Sequence, residues 1–483
     1  MPTSVRFPGA NARIHYDSRK GDSMIRSTIF APAFVFLATA LSAQSDLPLP
    51  LPIRDTTLAN GLQVIVIENR ALPLVTVELD VKNGAYTQSP ETEGLAHLYE
   101  HMFFKANRTI PSQERYLERL RELGASWNGT TSEERVNYFV TVGTDSVAPA
   151  LQFMEDAVRY PLFLPEELLR ERPVVLGEFD RNEASPFFHL FRGVDTLLWT
   201  PGFYSRKNVI GNRDTIIATP PEKMRAIQQR FYVPNNTALI LSGDMTPARG
   251  FRLAADVFGD WPRGADPFAT PAPDPPPLTQ SKAVIVEKPV GSVTLTMRWQ
   301  GPSVGKDPAS TYAADVLSNV LANPSSRFQK RLVDSGFAFN ASIGYYTLNH
   351  TGPITVFAQT SPDKLLPLER AVLQEIGRMA DSTYITQQEL AAAQTQLGIQ
   401  ALYEREVPSD WAHTVGFWWS VAGLDYYRTY VPNMQKMTRS DLARYVRTYL
   451  QGKPFVAGVL INPDARQKLG LVPEMLLPKE VTP

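Results

Sequence analysis

Three residues in the first quarter of the chain have the types and spacing of a metal site. His97, Glu100 and His101 lie in the segment GLAHLYEHMFFK, residues 94–105, and form the pattern H-x-x-E-H. Side chains four residues apart lie on the same face of an α-helix, so both imidazoles can reach one ion while Glu100 flanks it. The order is the reverse of the commoner zinc-helix pattern H-E-x-x-H. We therefore predict a divalent metal site with a general base beside it.

An ordinary helical face is the competing interpretation of this pattern. The chain has six histidines among 483 residues, and at that frequency H-x-x-E-H arises by chance in well under about 1% of sequences of this length. The chain has no cysteine, which excludes disulfides and thiolate ligands, so a transition-metal site must use histidine and carboxylate. Two neutral histidines at a hydrolytic site call for an anionic third ligand and one open position for water.

Spacing alone does not fix the third ligand. Glu178 follows His101 by 77 residues and lies on the predicted helix 165–182, in the segment ERPVVLGE. Glu171 and Glu178 are seven residues apart, which is two helical turns, and could share a face. Pro173 lies between them, and a helix that restarts at this proline still places Glu178 but leaves Glu171 less certain. Residue types do not distinguish Glu178 from the other carboxylates of the chain.

Composition excludes several functional classes. The 483 residues suffice for two or three domains, and 43% hydrophobic with 20% charged residues can bury sizeable cores. The net charge of -1, from 48 basic and 49 acidic residues, provides no general field for a polyanion. No nucleic-acid partner is predicted.

The N-terminus has the order of a secretory signal. Met24-Ile-Arg26 precedes the apolar run 29–41 and the small residues 42–43. That run is too short to span a bilayer comfortably. We assign residues 1–43 to a leader and cleaved signal peptide, with either Met1 or Met24 as the start, and predict an exported protein, periplasmic or secreted, without a membrane span after cleavage.

Strand and helix patterns alternate in the first half of the chain. Runs of β-branched residues predict strands at 61–67, 74–81, 136–142 and 237–242. Amphipathic periodicity and capping residues predict helices at 94–104, 112–123, 147–160, 165–182 and 222–231. The polar residues 126–131 are predicted to form a turn or an edge segment. This pattern predicts an α+β layout in which one sheet is covered by helices.

The second half of the chain repeats the first. A segment rich in proline and glycine, 264–277, separates the two halves. Short matches recur at shifts of 216 to 218 residues, pairing Val75-Thr-Val-Glu-Leu with Val293-Thr-Leu-Thr-Met, Val140-Thr-Val-Gly-Thr144 with Val356-Phe-Ala-Gln-Thr360, and Phe231-Tyr232 with Thr448-Tyr449. We predict two tandem homologous domains, 53–263 and 281–470, joined by a proline-rich linker at 264–280. The segment 311–320 stands where a second metal helix would fall and contains no histidine.

These motifs resemble those of the pitrilysin and insulinase family of zinc metallopeptidases, the inverzincins, which includes the mitochondrial processing peptidases and exported bacterial zinc proteases. In that family an H-x-x-E-H helix is followed by a later helix with E-R-x-x-V-x-x-E. The resemblance extends over residues 55–463. It rests on five motifs that occur in order, namely Gly61-Leu-Gln-Val, the segment 94–105, the segment 171–178, Tyr232-Val-Pro-Asn-Asn236 and Gly243-Asp244.

The resemblance implies a zinc endopeptidase acting on a peptide held between two domains. Each domain would be a mainly antiparallel sheet covered by helices, and the two would face each other like a clam shell. The family pattern implies that His97, His101 and Glu178 hold one Zn²⁺ per chain and that Glu100 is the general base that deprotonates the metal-bound water. It also implies that Glu171 orients a ligand histidine.

The resemblance further implies a substrate-binding edge strand. The family has an N-A-x-T strand to which the substrate adds in extended form through main-chain hydrogen bonds. The matching substrate-binding residues in this chain are Asn128, Gly129, Thr130 and Thr131.

The chain departs from the family pattern in its second half. Many members have R-x-x-x-G-L-A-Y there, whose Arg and Tyr bind the substrate and the developing oxyanion. Leu332 and Phe339 stand at those two positions and cannot donate hydrogen bonds, and the loss of one such donor costs about 10²- to 10³-fold in turnover. One interpretation is a heterodimer in which a homologous zinc-less subunit supplies the Arg and Tyr; a homodimer is another. A third is that Tyr345, Tyr346 or Arg327 substitutes.

A catalytically incomplete or silent subunit is the alternative function. Such a chain would bind a peptide or a partner protein in a heteromeric complex. Silent relatives commonly lose a metal ligand or the base, whereas this chain keeps His97, Glu100, His101 and Glu178. The complete set favours the enzyme.

Overall fold

Two β-sheets organise the described part of the chain. The computed structural model describes residues 51–478, so the predicted leader and signal peptide, 1–43, lies outside the described residues. The first sheet has the order β1-β2-β6-β3-β5-β4, with β1 Ile53–Thr57, β2 Gln63–Glu68, β3 Leu74–Val81, β4 Ser126–Thr131, β5 Val136–Gly143 and β6 Thr237–Gly243. The second has the order β7-β11-β8-β10-β9, with β7 Lys282–Glu287, β8 Val293–Gln300, β9 Asn340–Tyr345, β10 Pro353–Thr360 and β11 Val456–Ile461.

The two sheets have the same connectivity. The second sheet repeats strands β2 to β6 of the first in the same spatial order and lacks only a counterpart of β1. In each sheet one neighbouring pair is parallel, β2 with β6 and β7 with β11, and the other pairs are antiparallel. The fold is therefore a duplicated α+β unit with mainly antiparallel sheets, as predicted. We refer to residues 51–263 as the first half and to residues 281–478 as the second half.

Helices cover both faces of the sheets. The first half contains α1 Leu95–Phe103, α2 Gln113–Glu122, α3 Val147–Arg159, α4 Pro165–Glu183, α5 Pro186–Trp199, α6 Pro201–Tyr204, α7 Arg213–Ala218, α8 Pro221–Phe231 and α9 Pro247–Phe258. The second half contains α10 Pro308–Ala322, α11 Arg327–Gln329, α12 Leu365–Met379, α13 Gln387–Tyr403, α14 Pro408–Val421, α15 Leu424–Gln435, α16 Arg439–Tyr449 and α17 Pro463–Leu469. Residues 264–280 form neither helix nor strand.

The predicted elements of the first half agree closely with this structure. Each predicted strand and helix is present with its ends shifted by no more than two residues, and the polar segment 126–131 is the edge strand β4. Helix α4 runs through Pro173 without interruption. Strand β1 and helices α5, α6, α7 and α9 are not among the predicted elements.

Each half places one helix on the sheet of the other half. Helix α5 packs its stripe of Leu190, Val194 and Leu198 against the second sheet, in a cluster with Val456 and Leu460. Helix α14 packs against the first sheet, where its buried side chains contact strands β2 and β6. Both faces of each central strand are thereby covered, which explains why β2, β6 and β11 are nearly continuous apolar runs. The two halves share their cores through this exchange of helices.

A buried cluster of charged groups lies where α14 crosses the first sheet. Glu78 and Asp80 on β3 are fully buried. Arg135 is bonded to both carboxylates, at 2.6 Å to Glu78 and 2.5 Å to Asp80. His413 on α14 places its Nδ1 2.5 Å from Glu78. Burial and the neighbouring Glu78 raise the pKa of Asp80 to about 8, even though Arg135 opposes that shift.

Gly416 allows α14 to approach this cluster, and Gly416→Ala is predicted to destabilise the fold. A Cβ at this position would lie 2.6 Å from Cγ of Asp80, so the helix or the buried carboxylate would have to move. Overpacking of this kind costs about 1–3 kcal/mol. Equilibrium unfolding in urea measures the change. Gly377→Ala is the matched control, because its Cβ on α12 would meet no described atom within 4 Å beyond its own helical backbone and chain neighbours, and an added methyl stabilises a helix by about 0.5–1 kcal/mol. Equal stability of the two variants would contradict the prediction.

Within residues 51–478, none of the helices has both the length and the apolar character needed to cross a membrane.

Candidate metal centre

Helix α1 presents the metal motif to a cavity between the two sheets. Its residues Leu95 and Leu98 are buried in the core of the first half. The opposite stripe of the helix carries His97, Glu100 and His101, which line the cavity. The amphipathic pattern of α1 therefore decides which side chains are available for chemistry.

The structure brings His97, His101 and Glu178 together. The two Nε2 atoms lie 3.3 Å apart. Glu178 Oε2 lies 3.3 Å from His97 Nε2 and 3.7 Å from His101 Nε2. One oxygen and two nitrogens thus form a small triangle of possible metal ligands. Among the described residues, 51–478, this is the one group of three or more His, Asp or Glu side chains whose ligand atoms all lie within 4.8 Å of one another.

The donor set suits a zinc ion. Zinc holds nitrogen and oxygen ligands at about 2.0–2.2 Å in a tetrahedral arrangement, so neighbouring ligands lie roughly 3.3–3.5 Å apart. The spacings of the triangle fall close to that range. Two imidazoles and one carboxylate are also a ligand set of catalytic zinc sites, which keep a fourth position open. The residues present therefore fit the metal that the sequence predicts.

Glu171 fixes one ligand of this triangle. Its Oε1 lies 2.7 Å from His101 Nδ1, and its Oε2 lies 2.5 Å from Lys105 Nζ. Because α4 continues through Pro173, both Glu171 and Glu178 face α1. His97 Nδ1, by contrast, is buried and has no hydrogen-bond partner in the described part of the chain. The orientation of His101 is thus set by a carboxylate and that of His97 by packing.

The carboxylates make the cluster attractive to a cation. Burial disfavours the charged form of His101, but hydrogen bonds to Glu171 and Glu178 outweigh burial and raise its pKa to about 9. Hydrogen bonds with His101 and His97 hold the pKa of Glu178 far below its ordinary value. Burial works against ionisation of Glu171, yet His101 and Lys105 lower its pKa. Both glutamates are therefore anionic at neutral pH.

Glu171→Gln is predicted to weaken metal binding without abolishing it. The amide keeps the shape of the side chain but removes the negative charge that orients His101 and pairs with Lys105. Loss of such an outer partner typically costs 10- to 100-fold in metal affinity, so we expect about that change. Competition with a chromophoric zinc chelator measures it. Wild-type affinity in Glu171→Gln would show that packing alone orients His101.

Glu100 and the edge strand β4 meet beside the triangle. The Thr131 hydroxyl donates to Glu100 Oε2 at 2.6 Å. Gly129 lies against the same side chain, because a Cβ there would be 3.1 Å from Glu100 Cγ. Among the described residues, strand β4 pairs with β5 alone, so its outer edge retains main-chain groups that an extended peptide can pair with.

The cavity has a volume of about 3170 Å³ and is lined by both halves. The first half contributes the metal triangle, Glu100 and β4, and the second half contributes the edge strand β9 together with residues of α10 and α13. Each sheet therefore turns an edge strand toward the same space. The volume far exceeds the roughly 300–1,000 Å³ of a small-molecule pocket, which favours a polymeric substrate.

Leu332 and Phe339, which stand where the family pattern has Arg and Tyr, do not line this cavity. Leu332 is completely buried in the core of the second half, and Phe339 is 63% exposed. Arg327 lies near Tyr384 and lines a separate pocket. Tyr345 lines the main cavity, but its hydroxyl donates to the carbonyl of Pro302 at 2.9 Å. Tyr346 lines the cavity as well.

Within residues 51–478, the three histidines outside the metal triangle bond to other groups. His350 Nδ1 lies 2.7 Å from Glu134, and His189 Nε2 lies 2.9 Å from the carbonyl of Glu183. His413 belongs to the buried cluster on the first sheet. These three histidines are therefore held by partners away from the triangle.

Asp315 occupies α10, the second-half counterpart of the metal helix. Its Oδ2 accepts a hydrogen bond from the Tyr430 hydroxyl at 2.6 Å. Burial raises the pKa of Asp315 to about 7, and that hydrogen bond offsets the shift only in part. The folded state therefore holds this proton more tightly than the unfolded chain does.

Stability is predicted to fall as Asp315 ionises. A carboxyl whose folded pKa is raised stabilises the fold below its unfolded pKa and loses that contribution as the pH rises from about 4 to about 7. Relative to Asp315→Asn, the wild type should lose more than about 1 kcal/mol of unfolding free energy across this window, since one pKa unit corresponds to about 1.4 kcal/mol. Urea unfolding of both proteins at pH 5 and pH 8 measures the difference. Parallel pH profiles would contradict it.

Family models match both halves of the chain. Residues 63–199 match the model described as "Insulinase (Peptidase family M16)", and residues 220–397 match "Peptidase M16 inactive domain". The first match contains the metal triangle and Glu100. The second falls mostly in the half that has no histidine on its corresponding helix.

Several known sequences and solved structures are similar to the chain. It is 25% identical to an "Uncharacterized zinc protease" of Rickettsia felis over 362 residues, which span 72% of this chain and 83% of that protein. It is 24% identical to a "Probable mitochondrial-processing peptidase subunit beta" of Arabidopsis thaliana, across 75% and 69% of the two chains. A protease from Helicobacter pylori shares the fold, with TM-score 0.76 and 21% identity over 86% of this chain and 100% of its own. The periplasmic protease PqqL from Escherichia coli gives TM-score 0.73 and 17% identity over 89% and 50%.

Proposed function

Because the chain belongs to the M16 family of peptidases, we propose that it is a zinc-dependent endopeptidase acting on peptides or unfolded polypeptides. One observation carries the proposal: His97, His101 and Glu178 form a triangle of ligand atoms beside Glu100, on the wall of a cavity large enough for an extended chain. The named zinc proteases among the relatives support the class of reaction.

The residues of the chain divide the reaction among them. Zn²⁺ held by His97, His101 and Glu178 would act as a Lewis acid that polarises the scissile carbonyl and acidifies water. Glu100 accepts a proton from the attacking water and returns it to the departing amine. No serine or cysteine nucleophile is required for this chemistry. Glu171 holds the ring of His101 in the orientation that binding needs.

Strand β4 binds the substrate as an added strand. The unpaired edge of Asn128, Gly129 and Thr130 supplies main-chain donors and acceptors, which recognise an extended peptide whatever its side chains are. A folded protein cannot offer such a strand without local unfolding. The edge strand and the cavity volume therefore favour unfolded polypeptides over compact proteins as substrates.

The absence of hydrogen-bond donors at Leu332 and Phe339 favours a working pair of subunits. Leu332 is buried, so an arginine at that position would point into the core and not into the cavity. We propose that a homologous zinc-less chain completes the site with an Arg and a Tyr, and that this chain is the zinc-bearing partner. The presence of Leu332 and Phe339 at these positions also fits a second candidate function, in which the chain is a peptide-binding subunit that does not cleave its ligand.

An assay of cleavage products separates these candidates. The purified chain is incubated with a reduced, alkylated polypeptide, alone and with candidate zinc-less homologues from the same organism, and the fragments are identified by mass spectrometry. We expect internal cleavages that increase at least 10-fold with the right partner. Full activity of the chain alone would exclude the pairing, and binding without cleavage in every combination would favour the silent subunit.

Export is part of the same proposal. The order of residues 24–43 predicts a signal peptide, and the structurally similar PqqL is described as periplasmic. Fractionation of cells and N-terminal sequencing of the mature protein test it.

A further inference from the structure

We infer that Thr131 is a positioning residue for Glu100, and that the second half of the chain helps to hold the strand that carries it. The inference deepens the proposed function and rests on it, since it assigns a role relative to the general base. It changes the role expected for Thr131, which the family resemblance places among the substrate-binding residues.

The hydroxyl of Thr131 is committed to Glu100. Its Oγ1 lies 2.6 Å from Glu100 Oε2, and a hydroxyl has a single proton to donate. That proton is therefore not available to a substrate while the bond exists. A hydrogen bond to a carboxylate is among the stronger side-chain interactions. It holds one oxygen of the base and leaves the other free to accept a proton.

Geometry along β4 separates the two faces of the strand. Side chains alternate along a strand, so Gly129 and Thr131 share the face toward α1, and Asn128 and Thr130 share the other. Both predictions agree with the contacts: Gly129 lies against Glu100, while Thr130 donates to Asn137 on the neighbouring strand β5. The strand thus touches the base on one face and is anchored on the other.

The hydrogen bonds that begin at Thr130 and Asn137 continue to the second half of the chain. Asn137 Nδ2 donates to Glu78 Oε1 at 2.7 Å, and Glu78 Oε2 lies 2.5 Å from Nδ1 of His413 on α14. Arg135 adds a bond to Glu78 at 2.6 Å. Three side chains in series, Asn137, Glu78 and His413, therefore connect Thr130 to a helix of the other half.

This anchoring is needed because β4 is an edge strand. Within the part of the chain that the structure describes, its one neighbour is β5, and its other side must accept the substrate. A strand held on one side only would shift when a peptide adds to it, and Thr131 would move with it. The bonds through Thr130 oppose that shift, so that Glu100 keeps the same orientation when the substrate binds. A displacement of about 1 Å at a reacting group can cost about 10²-fold in rate.

Thr131→Val and Thr131→Ser form the test. Valine keeps the shape and removes the hydroxyl, whereas serine keeps the hydroxyl. For the zinc-loaded full chain, with its partner if the wild type needs one, we expect kcat to fall about 10- to 100-fold in Thr131→Val with KM and zinc content unchanged, and to recover within about 3-fold in Thr131→Ser. Thr76→Val is the control, because Thr76 bonds to Thr141 elsewhere in the same sheet and should leave kcat unaltered.

A structural readout keeps the inference independent of turnover. Crystal structures of the zinc-loaded wild type and Thr131→Val should show the Glu100 carboxylate in one orientation in the first and displaced or in several orientations in the second. An unmoved Glu100 together with wild-type kcat in Thr131→Val would overturn the inference. If the wild type does not hydrolyse peptides at all, the proposed function fails, and the two crystal structures still decide the role of Thr131.

Discussion

Replacement of Glu100 by glutamine is expected to lower kcat for peptide hydrolysis by about 10²- to 10⁴-fold, the range that a general base contributes. Glutamine has nearly the same shape and still accepts the hydrogen bond from Thr131, but it cannot take a proton from water. Glu100 is not one of the three ligand atoms of the triangle, so zinc content should remain at the wild-type level. Steady-state kinetics together with metal analysis of the same sample measures both quantities.

The control for this substitution is another glutamate made neutral. Glu118 on α2 is 57% exposed and pairs with Arg115, away from the triangle, so Glu118→Gln should retain wild-type kcat. Retained hydrolysis in Glu100→Gln would rule out the assigned base. Loss of activity accompanied by loss of zinc would place Glu100 in the metal site instead.

Glu178→Gln is expected to have the largest effect on metal binding. It removes the anionic member of the triangle and leaves two neutral imidazoles, which are a poor set for a divalent cation. We expect zinc affinity to fall by more than about 10²-fold, beyond the effect of an outer partner such as Glu171. Titration with a chromophoric chelator measures the affinity, and activity should fall in proportion to the zinc lost.

A third glutamate of helix α4 provides the control for the Glu171→Gln and Glu178→Gln variants. Glu183 lies on the same helix but pairs with Arg213 at 2.8 Å, away from the triangle, so Glu183→Gln should bind zinc as the wild type does. The predicted order of zinc affinity is Glu183→Gln, then Glu171→Gln, then Glu178→Gln. A Glu178→Gln variant with the affinity of the wild type would exclude Glu178 as a ligand.

The first half of the fold could be predicted because its signals are local. The spacing of His97, Glu100 and His101 brings the three side chains onto one face only if the segment is a helix. The strands on either side are β-branched runs with clear ends. Glu178 is different. Its position 77 residues from His101 is a tertiary fact, and only resemblance to a family, not spacing, selected it among the carboxylates. Pro173 left the position of Glu171 uncertain from the sequence, because a proline can end or restart a helix. In the structure α4 is continuous through Pro173 and packs on α1.

The parts that sequence could not supply are contacts between distant segments. The stripe of Leu190, Val194 and Leu198 is readable as a helix face, but nothing local indicates that it packs on the sheet of the other half. The same holds for the pairing of His413 with Glu78, which are 335 residues apart. Thr131 was recognised as part of an edge strand, yet its bond to Glu100 depends on how β4 approaches α1.

Removal and return of zinc tests whether peptide hydrolysis depends on a metal ion held by His97, His101 and Glu178. The purified chain, with its partner if one is required, is stripped by a chelator, and hydrolysis of an unfolded polypeptide is followed as zinc is added back. We expect activity to disappear on stripping and to return in full at one zinc per chain, while Glu178→Gln prepared in the same way does not recover. Hydrolysis that survives complete removal of the metal, or zinc that binds equally well to Glu178→Gln, would contradict it.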